Sequence, residues 1–328
     1  MKAQLILFGV ISELSAITMG SDSVRDKMLA EAWDKGAEGN VVFRVVDEIG
    51  TPVEGASCTG WMRLFANKEG GYSYRGKTDT NGLVTVSGKC SESFSAIFSK
   101  EGYYKSRDEI FFNQAKTNPI IKNGKWQPYG EQKTVVLKRI MPRANISVFP
   151  RALRDKSIPK FDSWLGFDFE KADWVRPYGI GDESDVLIRF SARVSKRFVD
   201  FSYAMEVSFT NNAYAGAYVL RKDKFSDLCV MREADANALY KSQFSYHIIS
   251  TRGKGCERML LGKDEYLVYR TRTKVGDDGE LLSAHYGAIH GDWLFDDKGM
   301  TLSDGCFNII ENNLRIDDFR ELRQCVKR

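Results

Sequence analysis

The chain is expected to be an all-β protein in two parts, and three features carry that expectation. Short hydrophobic stretches of period two recur along most of the sequence, Gly, Asn, Asp and Pro clusters separate them, and 328 residues are enough for two cores. With 43% hydrophobic, 12% aromatic and 28% charged residues, the composition is that of an ordinary globular chain. The mean hydropathy of -0.36 argues against a multi-span helical membrane protein. The 48 Lys and Arg against 44 Asp and Glu leave a net charge of +4, with both signs interspersed, so nothing here marks a nucleic-acid partner.

Taken in order, residues 1–20 have the layout of a secretory signal. Lys2 precedes an apolar run from Leu5 to Ile11, and small residues follow up to Gly20. That run is too short to span a bilayer. Residues 21–39 form a helix and linker, with Met28, Leu29, Ala32 and Trp33 at helical spacing and Gly36 as a stop.

From Asn40 the period becomes two. Val41, Phe43 and Val45 alternate with polar positions, and Asp47 to Pro52 is a turn. A second strand is expected over Ala56 to Phe65. Thr78-Asp79-Thr80-Asn81-Gly82 reads as an Asn-Gly hairpin leading into Leu83 to Val86. Phe94 to Phe98, Gly102-Tyr103-Tyr104 and Thr134 to Leu137 complete a β-sandwich over residues 40–139. The stretch from Asn113 to Gln132, with Lys116, Lys122 and Lys125, is expected to be a surface loop. Its Trp126 and Tyr129 are suited either to a partner or to fixing the loop on the sandwich.

Residues 140–328 are expected to form a second, antiparallel β-rich domain with a few short helices. Val186 to Val194 and Phe201 to Phe209 alternate cleanly and predict neighbouring strands. Leu267 to Thr273 and Leu282 to Phe295 flank the turn Gly276-Asp277-Asp278-Gly279, and Asp296 to Gly299 is a further turn. Glu233 to Tyr240 is a helical candidate, and Ile316 to Arg328 ends the chain as a helix or strand. A single sheet, curled or doubled over one core, is the expected arrangement.

Four segments in the first part carry a resemblance: Val45-Val46-Asp47, Gly50-Thr51-Pro52-Val53-Glu54-Gly55-Ala56, Thr78-Asp79-Thr80-Asn81-Gly82 and Lys100-Glu101-Gly102-Tyr103. In this order they are similar to the carboxypeptidase regulatory-like domain, a transthyretin-like, Ig-like β-sandwich. The resemblance covers about Asn40 to Arg139. It implies a fold and an accessory role, not a reaction. The second part carries no specific family motif.

Six cysteines, even in number and without a C-x-x-C pair, suit an oxidising compartment better than a zinc site. Cys58 and Cys90 are the only two in the sandwich and are expected to pair; Cys229, Cys256, Cys306 and Cys325 leave three connectivities open.

Catalytic signatures are sparse. His285 and His290 share one strand at odd spacing and so point to opposite faces, and His247 stands apart, which gives no metal site. Ser157-Ile158-Pro159-Lys160 spells S-x-x-K, but Pro159 works against the helix that motif needs. No phosphate-binding or dinucleotide fingerprint occurs, so no cofactor is expected.

The residues singled out for ligand binding are Trp164, Asp168, Glu170, Asp173 and Trp174. They belong to an acidic and aromatic stretch that also holds Asp162, Phe167, Phe169 and Tyr178, a mixture that suits either a glycan or peptide groove or a loop whose aromatics cover the domain junction while its charges face water. The expectation is a non-catalytic protein exported to the periplasm or cell surface, binding a protein or glycan partner or serving as a structural component. The alternative is a glycan-directed hydrolase with its carboxylates around Asp168 to Asp173.

Overall fold

The computed structural model describes residues 26–64, 71–112, 120–142, 146–148, 156–196, 199–209, 213–262, 264–290, 293–302 and 305–317. The expected signal, Lys116 and Cys325 lie outside them. The described chain is mostly strand, as the periodicity predicts. Its one helix, α1, covers 26–35. Gly36 ends α1 with φ of 75°, donating its N–H to the Ala32 carbonyl at 2.9 Å. Among the described residues no helix is long and apolar enough to cross a membrane.

The chain divides into two units, Met1–Met141 with Phe225–Asp227, and Pro142–Lys224 with Leu228–Arg328. The first unit holds β1 (Ala37–Asp47), β2 (Ser57–Arg63), β3 (Gly71–Lys77), β4 (Leu83–Cys90), β5 (Ser93–Ser99), β6 (Ser106–Phe111), β7 (Ile121–Lys122), β8 (Lys125–Trp126) and β9 (Glu131–Leu137). One sheet runs β4-β1-β8-β7, with β9 also paired to β1; the other runs β3-β2-β5-β6. Alternate residues of both sheets enter one apolar core around Phe43, Phe98, Trp126 and Leu137, each fully buried.

Three expectations change here. Thr78 to Gly82 is a tight turn, with Asp79 Oδ1 accepting the Asn81 and Leu83 amides at 2.9 and 2.8 Å, but it is not a hairpin. β3 pairs with β2 and β4 with β1, so the turn carries the chain from one sheet to the other. Gly82 is required there: φ is 73°, and a Cβ would sit 2.4 Å from the Val45 carbonyl oxygen. The described part of the expected surface loop forms the β7–β8 hairpin, which returns the chain to β1 in parallel and lets β9 pair parallel to it as well. Trp126 is not a surface residue. Its ring stacks on Phe112 and its Nε1 donates to the Cys90 carbonyl at 2.9 Å, while the Tyr129 hydroxyl bonds Glu38.

The expected Cys58–Cys90 bridge is also absent, and both are buried free thiols. Cys58 lies opposite Gly76, next to the corner at Thr78, whereas Cys90 ends the β4 strand that starts from that corner. At about 3.3 Å per residue the strand carries Cys90 roughly 20 Å away, far beyond disulfide reach.

The second unit holds β10 (Ile146–Val148), β11 (Lys156–Ser157), β12 (Trp164–Asp168), β13 (Asp173–Trp174), β14 (Val186–Lys196), β15 (Asp200–Ser208), β16 (Gly216–Arg221), β17 (Gln243–Thr251), β18 (Gly255–Met259), β19 (Glu265–Val275), β20 (Leu281–His290), β21 (Trp293–Phe295), β22 (Gly299–Leu302) and β23 (Gly305–Asn308). They form not one curled sheet but three, β13-β12-β14-β15-β17-β18, β10-β23-β20-β19-β16 and β11-β22-β21, with side chains from all three in one cluster. β14 and β15 are antiparallel neighbours as their alternation predicts, with Phe190 opposite Met205. The turn at Gly276 to Gly279 joins the paired strands β19 and β20.

No helix forms over Glu233 to Tyr240. Asp235 Oδ1 accepts the Asn237 amide at 2.9 Å instead, a local side-chain turn that competes with helix formation. Ile316 and Asp317 are in neither helix nor strand, and the residues after them lie outside the described ones.

Candidate functional site

The acidic and aromatic stretch divides along the pleat of β12 and the turn after it. Phe167, Phe169 and Trp174 go inward. Phe169 stacks on Tyr269 at 4.2 Å, and Trp174 meets Phe167 edge-on while its Nε1 donates to the Ser157 carbonyl at 3.0 Å. Trp164, on the other face of β12, is 44% exposed and carries the Arg189 guanidinium 4.9 Å over its ring; that arginine also pairs with Glu206. Tyr178 is exposed. The five selected residues therefore do not converge on one groove.

Asp168 and Asp173 stand opposite each other in the β12–β13 pair, but the carboxylates take different partners. Asp162 accepts from the Ser191 hydroxyl at 2.6 Å. Asp173 is ion-paired with Lys156 and accepts the Trp174 amide at 2.7 Å. Burial opposes its charge, but the Lys156 hydrogen bond and the amides outweigh this and hold the carboxyl below its ordinary range. Asp168 and Glu170 do meet, around Arg272, 104 residues beyond Asp168.

Arg272 is the centre of this site. It lies in β19 where the register with β20 shifts between Thr271 and Lys274, and its φ is 48°. Such an irregularity re-aims a side chain, and a left-handed non-glycine residue costs on the order of 1 to 3 kcal/mol that its surroundings must offset. The surroundings supply four carboxylates. Arg272 Nη2 lies 3.0 Å from Asp168, Nη1 2.6 Å from Glu170, and Nε 2.9 Å from Asp185 and 3.4 Å from Glu183. One face of the guanidinium rests 4.6 Å over the Phe307 ring. Burial works against its charge, yet the Asp185 hydrogen bond and the surrounding carboxylates raise its pKa further.

The acceptors are well occupied. Asp168 takes amides from Glu170, Lys171, Asp182 and Glu183 in addition to Arg272. Asp185 accepts from the Phe169 amide at 2.7 Å, the Thr271 hydroxyl at 3.1 Å and Arg272. Burial raises the Asp185 pKa, against the pull of Arg272. Glu170 is shifted down, chiefly by its hydrogen bond to Arg272. The sequence reading missed Arg272, Asp185 and Glu183. The available signal was an arginine within the apolar run of β19 and an aspartate directly before the apolar start of β14.

The other candidates are structural in their contacts. His285 Nδ1 lies 3.0 Å from the Asn308 carbonyl and its ring stacks on Phe307; His290 stacks on Tyr266, and burial pushes its pKa down to about 3. His247 pairs with Glu257 at 3.4 Å. Ser157 ends the two-residue strand β11 and is followed by no helix, so S-x-x-K lacks the helical frame. Among the described residues no group of three or more His, Cys, Asp and Glu could hold a metal ion.

Fold and site define a two-unit all-β protein whose second unit is keyed by a partly buried arginine and the buried carboxylates of Asp168 and Asp185. Neither a family model nor a curated protein matches the chain. Among solved structures it is similar to 3-chlorocatechol 1,2-dioxygenase from Rhodococcus opacus 1CP, at 16% identity and a TM-score of 0.26 over 33% of this chain and 62% of that one. Hydroxyquinol 1,2-dioxygenase from Pseudomonas putida DLL-E4 follows at 14% and 0.24, over 32% and 57%. The chain thus spans less than two thirds of these dioxygenases. The major pilin subunit BcpA of Bacillus cereus matches at 12% and 0.22, over 81% of this chain and 69% of the pilin. Likenesses this weak carry no argument about function.

Proposed function

We propose that this chain is a non-catalytic binding or structural module of the cell envelope, exported, with a carboxypeptidase regulatory-like sandwich as its first unit. The observation that carries this is the state of the carboxylates around Asp168. A glycosidase of the usual kind needs two carboxyl groups facing each other across an open cleft about 5 to 10 Å wide, one of them an acid with a raised pKa. Here Glu170 is held low by Arg272, and although burial raises Asp185, both Asp185 and Asp168 are buried and spend their oxygens on backbone amides and on the same arginine, so neither faces an open cleft position for a leaving group. Such an arrangement fixes β12, the turn after it and β19 to one another. The leader-like layout of residues 1–20 supports export.

Cell fractionation with intact-mass analysis, together with incubation of the purified chain with plant and bacterial polysaccharides, tests the proposal. The expected result is an envelope-fraction protein shortened by about 20 residues that leaves every polymer uncut. A full-length cytosolic chain overturns export, and depolymerisation lost in Glu170→Gln overturns the non-catalytic reading.

A further inference from the structure

The outward face of β3-β2-β5-β6 in the first unit is built unlike an ordinary solvated sheet. The register places Trp61 between Ser73 on β3 and Ser95 on β5, with Glu109 beyond on β6. Thr59 and Arg63 are its same-face neighbours along β2, and the next row reads Arg75, Thr59, Ile97, Arg107. Trp61 is 45% exposed and Ile97 51%, and Arg63, Arg75 and Lys77 are exposed as well. The serines and threonine around the indole are too short to cover it. Among the described residues four cations, Arg63, Arg75, Lys77 and Arg107, share this face with a single acid, Glu109, although the chain as a whole is close to balanced.

We infer that this face, centred on Trp61, binds an acidic polysaccharide, a glycan bearing carboxylate groups. An exposed indole offers a flat apolar surface on which a sugar ring lies, hydroxyls beside it suit sugar hydroxyls, and arginines pair with carboxylates in a fixed fork geometry. The charge on the face selects against neutral glycans. Single-stranded nucleic acid is matched less well, because it stacks successive bases on a series of neighbouring rings, and the second exposed ring of this face, Phe111 at 39%, stands on β6, two strands away from Trp61. An extended acidic peptide is matched less well also, since the backbone groups at the middle of the sheet are already paired.

The inference rests on the reading of the chain as a binding module and names the ligand class of that module. Isothermal titration of the full chain with oligogalacturonate tests it, with a dextran oligomer and single-stranded oligothymidylate as comparisons, and with the length of the oligogalacturonate checked afterwards. Saturable binding is expected that salt weakens, that dextran does not show, and that falls at least tenfold in Trp61→Ala and in Arg75→Gln. Trp61→Phe retains part of it, and the exposed positions leave the melting temperature unchanged. No binding of oligogalacturonate, equal affinity in Trp61→Ala, or tighter binding of oligothymidylate through the same residues overturns the inference. A shortened oligogalacturonate overturns the non-catalytic reading while leaving the binding face in place; an intact but unbound one overturns the face alone.

Discussion

The first unit's core cluster is made of apolar side chains and the thiols of Cys58 and Cys90; among the described residues its buried polar groups are few, the Thr78 hydroxyl donating to Val53 and accepting from the Ala56 amide, and its buried carboxylate Asp47 accepts the Ile49 and Thr51 amides and pairs with an arginine, Arg139, that is itself exposed. The second unit sets Asp168, Asp185 and Arg272 against an aromatic cluster that includes Phe169, Tyr269 and Phe307. The contrast separates two ways of holding strands together. Apolar packing loses stability by increments as volume is removed, whereas a buried ion cluster fails when one charge leaves and the others remain.

The largest effect is expected at Arg272. Arg272→Met keeps much of the volume but strips Asp168 and Asp185 of their counter-ion, which costs about 3 to 5 kcal/mol, read as a fall in the urea midpoint of the second unit. An unchanged midpoint would erase the contrast. In the first unit, Trp126→Phe preserves the stacking on Phe112 but leaves the buried Cys90 carbonyl without its indole donor. The expected loss is about 1 to 3 kcal/mol, measured by the same unfolding.

A titration sharpens the comparison further. Glu170, shifted down, contributes stability that is present above its ordinary value of 4.5 and is lost as pH falls through its folded pKa. Asp185, shifted up, has the opposite sign: its burial costs stability as pH rises from 3.8 through its folded pKa. Carboxyl NMR should place the Glu170 midpoint below 4.5 and that of Asp185 above 3.8; a Glu170 midpoint at its ordinary value would remove Arg272 as the organiser of the site, and an ordinary Asp185 midpoint would show that its burial is not felt as charge. The smallest effect concerns thiols. Burial pushes Cys58 and Cys90 up to about 12, so iodoacetamide at neutral pH should label exposed Cys256 and leave both untouched until denaturant is added. Peptide mapping reads the result, and rapid labelling of Cys58 would show that the first core opens readily.

Much of the strand content was readable from periodicity. β14, β15 and the turn between β19 and β20 follow from alternation and Asp-Gly chemistry within a few residues, where each side chain's face is set by the pleat. Three local signals misled. Asn81-Gly82 specifies a turn but not which strands it joins, and here a corner between sheets uses the same geometry as a hairpin. The residues from Glu233 to Tyr240 have helical composition, yet the Asp235 side chain captures the backbone first. Cysteine count pointed to a bridge, while strand length keeps Cys58 and Cys90 at opposite ends of the sandwich. Of the candidate site, only Asp168 and Glu170 proved to be neighbours around one group, because their organiser is 104 residues from Asp168 and no spacing rule reaches that far.

What the sequence by itself determined is the local order: strand periods, turn positions and the glycine that the turn after Thr80 requires. These depend on interactions between residues a few positions apart. Which sheet each strand joins, that Trp126 fills a core instead of facing a partner, and that Arg272 gathers Asp168, Glu170, Glu183 and Asp185 were decided only in the folded chain. Burial and ion pairing depend on distance in space, and a one-dimensional pattern carries no record of that distance.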